Sequence, residues 1–238
     1  MPKYNTPLMS IDPKETRRYA GLSKAPDFNK KTILSACREV LYVANPRGSW
    51  EIYDYDAVNG VVLADEPFLL QGKKITKHLC KAKKVVIMAV TIGEMVEEEI
   101  SNHFKDGEYT LALLMDAAAT TAVEQVADGI EKAVDQKIRM TGLSRRWRFS
   151  PGYGDWPIQC QPEMLKLAKA DEIGLGVTSS LMLNPRKSVT AIIGLVPKTE
   201  AIPEDKQSCK FCPNPTCNFR TRPFEVQVET ENTDETNK

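Results

Sequence analysis

The chain has 238 residues, enough for one large domain or two small ones. Hydrophobic residues make up 42% and charged residues 27%, an ordinary globular balance, and a net charge of zero gives no electrostatic case for binding nucleic acid. No apolar run approaches the roughly 18 residues that a membrane span needs, and Met1-Pro2-Lys3-Tyr4-Asn5 lacks the apolar core of a signal peptide, so a cytoplasmic location is expected.

Residues 1–10 read as a flexible N-terminus. A helix is expected from Asp12, with Pro13 at its first position, ending near Gly21. A second spans 30–43, where Ile33, Leu34, Cys37, Val40 and Leu41 recur at helical spacing. Pro46-Arg47-Gly48 reads as a turn, and the alternation over 50–55 reads as a strand. Short strands follow at 60–64 and 68–70, then a short helix at 75–80. Lys84 to Val90 is apolar on both faces and belongs in the middle of a sheet. After Gly93 a helix runs to about Phe104 and Asp106-Gly107 breaks it. A long helix then covers about 109–135, with Leu111, Leu114, Ala118, Ala122, Val126, Ile130 and Val134 as its apolar stripe. A helix at 163–172 and a β-branched strand at 188–196 complete the core. The domain reading is a core over 11–200, a cysteine-containing tail over 201–225, and an acidic, disordered C-terminus over 226–238. Strands and helices are mixed without regular alternation, which favours an α+β fold with an antiparallel or mixed sheet. No dinucleotide glycine fingerprint follows any strand.

Two features carry chemistry. The first is the loop Arg148-Phe149-Ser150-Pro151-Gly152-Tyr153-Gly154-Asp155-Trp156-Pro157. Two prolines and two glycines exclude a helix or plain strand there. Pro151 biases Ser150 toward extended backbone, and Gly152 can turn left-handed or admit a ligand close to the main chain. Such a loop suits a flat, charged small molecule, with Arg148 for a carboxylate and Tyr153 for stacking or a hydrogen bond. Composition alone favours a surface turn with aromatic packing, and Asp155 and Trp156 receive no assignment. On the long helix, Asp116, Thr120, Glu124 and Asp128 share one face at four-residue steps.

The second feature is the spacing of Cys209, Cys212 and Cys217, C-x2-C-x4-C within a proline-rich turn. Three thiols so placed can converge on one metal: an iron–sulfur cluster with an outside fourth ligand, or zinc with one extra ligand. The alternative is a thiol cluster on a tail. Cys37, Cys80 and Cys160 are scattered singly and read as buried or incidental.

The loop, with Arg-x-x-Pro-Gly-Tyr followed closely by Pro, resembles the signature loop of the activation domain of cobalamin-dependent methionine synthase, which binds S-adenosylmethionine. Leu114-Met115-Asp116-Ala117-Ala118-Ala119-Thr120-Thr121-Ala122-Val123-Glu124 is similar to that family's central helix. Thr178 to Ala191 is similar to its T-x-S-x-M-x-x-P-x-x-S-V-S stretch, and Ile11 to Tyr19 looks like the opening helix of free-standing members. The match covers roughly residues 10 to 200.

The resemblance implies a twisted, mostly antiparallel sheet flanked by helices. It implies S-adenosylmethionine held by Glu124, Arg148, Ser150, Gly152 and Tyr153, with the Glu124 carboxylate against the ligand's sulfonium or ammonium. Ser150 stands where the best-known members have alanine, a change that main-chain contacts survive. It implies reductive methylation of a corrinoid cofactor: the oxidised cob(II) form regains its methyl group from S-adenosylmethionine while a flavodoxin-like or ferredoxin-like donor supplies an electron. The chain departs from the family in having no tyrosine after Tyr153 and no Asp-x-His-x-x-Gly corrinoid motif. Cobalamin is therefore expected on a partner, a corrinoid protein or methionine synthase met in trans. Two other readings stand beside this one. The chain could be a non-catalytic partner or scaffold for a corrinoid protein, or an iron–sulfur electron carrier using the three clustered cysteines.

Overall fold

The computed structural model describes residues 3–5 and 8–200. Helix α1 (Pro13–Tyr19) starts where Asp12 accepts a hydrogen bond from the Lys14 amide at 2.7 Å, with proline at the first helical position. Helix α2 (Lys30–Val43) is capped in the same way by Asn29, 2.9 Å from the Lys31 amide. Strands β2 (Arg47–Asp56), β3 (Val61–Leu63) and β4 (Phe68–Leu69) lead to α3 (Lys73–Leu79) and the central strand β5 (Lys84–Thr91). Then come α4 (Met95–Lys105), α5 (Tyr109–Ile138), β6 (Leu143–Arg145), α6 (Gln161–Ala168), the small hairpin β7 (Gly176–Val177) and β8 (Leu183–Asn184), and β9 (Ser188–Pro197).

The main sheet has the order β4-β3-β2-β5-β9-β6, and every strand pairing among the described residues is antiparallel. Within the stretch read as a flexible N-terminus, Lys3–Tyr4 (β1) pairs antiparallel with Ser49 and Gly48 of β2. The α+β expectation holds.

Alternation along the strands divides the interior into two cores. Val86, Met88 and Val90 of β5 and Ala191, Ile193 and Leu195 of β9 pack with α2, α4 and α5 and with Ile11 and Ala20 flanking α1. Val85, Ile87 and Ala89 of β5 and Ile192 and Val196 of β9 face the other way, toward α3 and α6. This two-sided burial is why β5 is apolar throughout. The stripe on α5 is buried at Leu114, Ala118, Ala122, Val126, Ile130 and Val134, while Leu111 is half-buried.

Two local readings change, and three short strands have no counterpart in the sequence reading. Arg47 and Gly48 form no turn; they open β2, paired with Thr91 and Val90, because the ladder to β5 overrides the breaker signal of Pro46 and Gly48. The helix expected over 163–172 is two pieces: α6 ends where Lys169 turns left-handed (φ 53°), and a 3-10 turn follows at Ala170–Ile173. Strands β6, β7 and β8, of three, two and two residues, are too short to show a period.

His103 joins the helical layer through three carboxylates. Its Nδ1 lies 2.5 Å from Glu108, and its Nε2 lies 3.0 Å from Glu39 of α2, off the hydrogen-bond direction, and 3.8 Å from Glu99. The Glu108 hydrogen bond is the largest cause of a pKa raised above the ordinary histidine value; burial opposes it, and the charges of Glu39, Glu108 and Glu99 add to it. A raised folded-state pKa stabilises below the unfolded value of about 6.5, and the contribution disappears as pH rises through the folded value. The urea midpoint of wild type should therefore exceed that of His103→Gln at pH 6, and the gap should close by pH 8.5. A gap independent of pH would show that the imidazolium contributes nothing.

Candidate functional site

The site forms where one chain segment leaves the sheet. Beyond β6, the Arg146 amide donates to the Gly194 carbonyl at 2.8 Å, and Phe149 and Ile192 exchange backbone hydrogen bonds at 2.9 and 2.8 Å. At Ser150 the segment peels away. The Tyr153 amide donates to Ser150 O (3.2 Å), the Trp156 amide to Tyr153 O (3.1 Å) and the Gly152 amide to Trp156 O (2.9 Å), closing a compact turn. Gly152 has φ +86°, a conformation that a side chain would strain.

Asp155 and Trp156 anchor this turn. The Asp155 carboxylate accepts from the amides of Lys73 (2.8 Å) and Lys74 (3.0 Å), capping α3. These bonds, the one from Lys74 foremost, hold its carboxyl below the ordinary range. The close approach needs Gly72, where a Cβ would come within 2.9 Å of the Asp155 carbonyl. Trp156 is 1% exposed, its ring 6.2 Å from that of Phe149. Behind the loop, His78 donates from Nε2 to the Trp147 carbonyl at 3.0 Å and packs 4.6 Å from the Trp147 ring. Burial pushes its pKa down to about 4 against the pull of that carbonyl, so the ring is neutral near pH 7.

The polar face of α5 is answered by cations from elsewhere in the chain. Lys187 Nζ sits 2.8 Å from Asp116 and 3.1 Å from the Thr120 hydroxyl. Arg148 reaches Glu124 through Nη2 (2.6 Å), and Asp128 (2.7 Å) and Glu131 (3.0 Å) through Nη1. Arg145 continues the series to Glu131 (3.0 Å) and Asp135 (2.9 Å). Burial would lower the pKa of Arg148, but Glu131, Glu124 and Asp128 outweigh it and keep the guanidinium charged. Glu131 is buried and its pKa is raised by desolvation, with Arg148 and Arg145 pulling it back.

Between this ladder and the hairpin β7–β8 lies a cavity of about 560 Å³, within the size range of small-molecule sites. Glu124 and the two cations paired along α5, Arg148 and Lys187, make the end beside that helix charged. Phe149 and Leu183, packed on the core that holds α3 and α6, make the other side apolar. Tyr153, Ile158 and Met182 are exposed at its rim. Gln161 and Thr190 add a buried polar pair to the lining.

Of the residues expected from the sequence, Glu124, Arg148, Ser150 and Tyr153 line this cavity together. Gly152 does not line it and instead shapes the turn that presents its neighbours. Arg148, expected to be open to a ligand carboxylate, is already engaged by three protein carboxylates. Cys209, Cys212 and Cys217 lie outside the described residues. Among the described residues, no group of three or more His, Cys, Asp or Glu is placed to hold a metal ion, and no helix is long and apolar enough to cross a membrane. Sequence reasoning gave no role to Lys187, Gln161 or Thr190. The four-residue polar ladder on α5 was the available signal that cations must face it, but it did not say which.

Fold and site together define an α+β domain with a cavity of small-molecule size, charged toward α5 and apolar toward α6, at the edge of an antiparallel sheet. No protein-family model matches the sequence, and no curated protein matches it closely enough to count. The structure is similar to the crystal structure of the MetH reactivation domain bound to AdoHcy, with a TM-score of 0.58 and 14% sequence identity, over 84% of this chain and 83% of that one. The activation-domain-like fold implied by the sequence blocks is the fold observed.

Arg148→Met should destabilise the protein by about 3 kcal/mol, because Glu131 would stay buried with half of its charge compensation gone. Adding Glu131→Gln should restore part of the loss. Urea unfolding reads both; a loss below about 1 kcal/mol, or no recovery in the double variant, would show that the ladder does not hold the loop to α5.

Proposed function

We propose that the chain binds S-adenosylmethionine in this cavity and acts in trans as the reactivation component for a corrinoid protein or a methionine synthase. The observation that carries the reading is the convergence of Glu124, Arg148, Ser150 and Tyr153 on one cavity with a charged and an apolar end. A methionine moiety with ammonium, carboxylate and sulfonium groups matches the charged end, and an adenine matches the apolar end. The fold shared with an AdoHcy-bound domain supports the same ligand class.

Each residue then has a task. Arg148 holds one oxygen of Glu124, so the other is left to accept from the ligand ammonium or to face the sulfonium. Any ligand carboxylate that reaches Arg148 shares its guanidinium with Glu124, Asp128 and Glu131, and Lys187 is a second cation at that end. The turn at Ser150–Tyr153 offers main-chain groups and an aromatic ring to the nucleoside. The corrinoid on the partner supplies the methyl acceptor, and this chain's part is positioning and charge complementarity, with the sulfonium methyl presented at the rim. A flavodoxin-like or ferredoxin-like protein would supply the electron.

A second reading is favoured by one observation. The segment after Ser188, tyrosine-rich in the large methionine synthases, here carries Ile192 and Ile193, both fully buried in the sheet. A corrinoid-protein partner or scaffold that binds the ligand without methyl transfer fits that departure.

Calorimetric titration with S-adenosylmethionine decides the ligand. Saturable one-to-one binding, weakened about tenfold or more by Glu124→Gln, is the expected outcome, tenfold corresponding to about 1.4 kcal/mol. No binding by wild type, or unchanged affinity in the variant, would contradict the reading.

A further inference from the structure

Gln161 is the first residue of α6, 3% exposed, in the cavity lining. Its amide nitrogen donates to the Thr190 hydroxyl at 2.7 Å, and Thr190 is itself 2% exposed on β9. Among the described residues, this is the single hydrogen bond of the Gln161 side chain. A primary amide also carries a carbonyl oxygen that accepts two hydrogen bonds. Oε1 is not among the fully buried polar atoms that lack a partner, so it opens onto the cavity, where Phe149 and Leu183 supply apolar lining. The bond to Thr190 does one specific thing: with Nε2 turned toward β9, Oε1 is the amide atom left for the cavity. Thr190 is a rigid anchor, since its strand is paired with β5 through Ala89.

The position within the cavity identifies the donor that Oε1 meets. The ammonium, carboxylate and sulfonium of the proposed ligand belong at the end with Glu124, Arg148 and Lys187, which leaves the flat base for the side with Phe149 and Leu183. An adenine carries one exocyclic amine with two N–H donors. Resting on the ligand proposed above, we infer that Gln161 is a specificity-determining residue whose Oε1 accepts a hydrogen bond from that amine, with Thr190 fixing the orientation of the amide. A hypoxanthine base has a carbonyl in place of the amine, and two acceptors would then face each other in a buried site. Sites built to pair a particular polar group reject the analogue lacking it far more strongly than apolar pockets do.

The test is calorimetric binding of S-adenosylhomocysteine and of its deaminated analogue, S-inosylhomocysteine, to the full chain. Wild type should prefer the adenosyl compound about tenfold or more. Gln161→Met, similar in volume and lacking the acceptor, should bring the two affinities to within about threefold while its thermal transition stays cooperative. Thr190→Val, which keeps Gln161 but frees its amide, should also reduce the preference. Equal wild-type binding of the two compounds, a preference for the inosyl compound, or a tenfold preference surviving in Gln161→Met would overturn the inference and leave the ligand class standing. Wild type that binds neither compound would overturn the ligand reading and this inference with it.

Discussion

The Arg148 guanidinium is held among Glu124, Asp128 and Glu131, three carboxylates one turn apart on a single helix. This contact joins a loop dense in helix breakers to the longest element of the fold. Its chemistry is directional: the planar fork of an arginine can meet several carboxylates at fixed angles, which a lysine cannot. Because Glu131 is buried, the charges on the two sides are interdependent. The cavity beside them inherits its charged end from this constraint, and Glu124 is both a clamp on the loop and the carboxylate of the cavity lining.

The rest of the site follows from where the sheet stops pairing. The segment after β6 accompanies β9 as far as the bond between Phe149 and Ile192 and then departs, so Val189 and Thr190, paired with β5 on one side, line a cavity on the other instead of meeting a second strand. The departing turn keeps its shape because its far end is tied down, with Asp155 on the amides of α3 and Trp156 in the core shared with α6. Rigid elements thus surround a loop whose own residues have little regular structure, a common arrangement for a binding site. The hairpin β7–β8 supplies Leu183 to the opposite wall.

Much of this was legible in the sequence, and the failures have physical causes. The limits of α2, the break at Asp106-Gly107 and the apolar stripe of α5 came from local signals: caps, breakers and period. The resemblance of three ordered blocks pointed to the architecture, and four of its five ligand residues meet at one cavity. What was not legible depends on register between distant segments. Arg47 and Gly48 looked like a turn because nothing local reveals that Val90 and Thr91 lie beside them. Lys187 meets Asp116 only because β9 enters the sheet near the start of α5. Gln161 lay outside the helix expected over 163–172, and its partner is 29 positions away. Arg148 lines the cavity, and the sequence reading omitted its protein partners, since a four-residue ladder of acids does not name the cation that answers it.

The central claim is that one small molecule occupies the space between the acidic ladder of α5 and the loop after Phe149. Titration of the isotope-labelled protein with S-adenosylmethionine, followed by amide nitrogen–proton correlation spectra, tests it directly. The account predicts that the shifted resonances cluster at Glu124, Ser150, Gly152, Tyr153 and residues 187–190, with α1 and β4 unmoved. Saturation with shifts confined to other surfaces, or no shift at any ligand concentration, would contradict it.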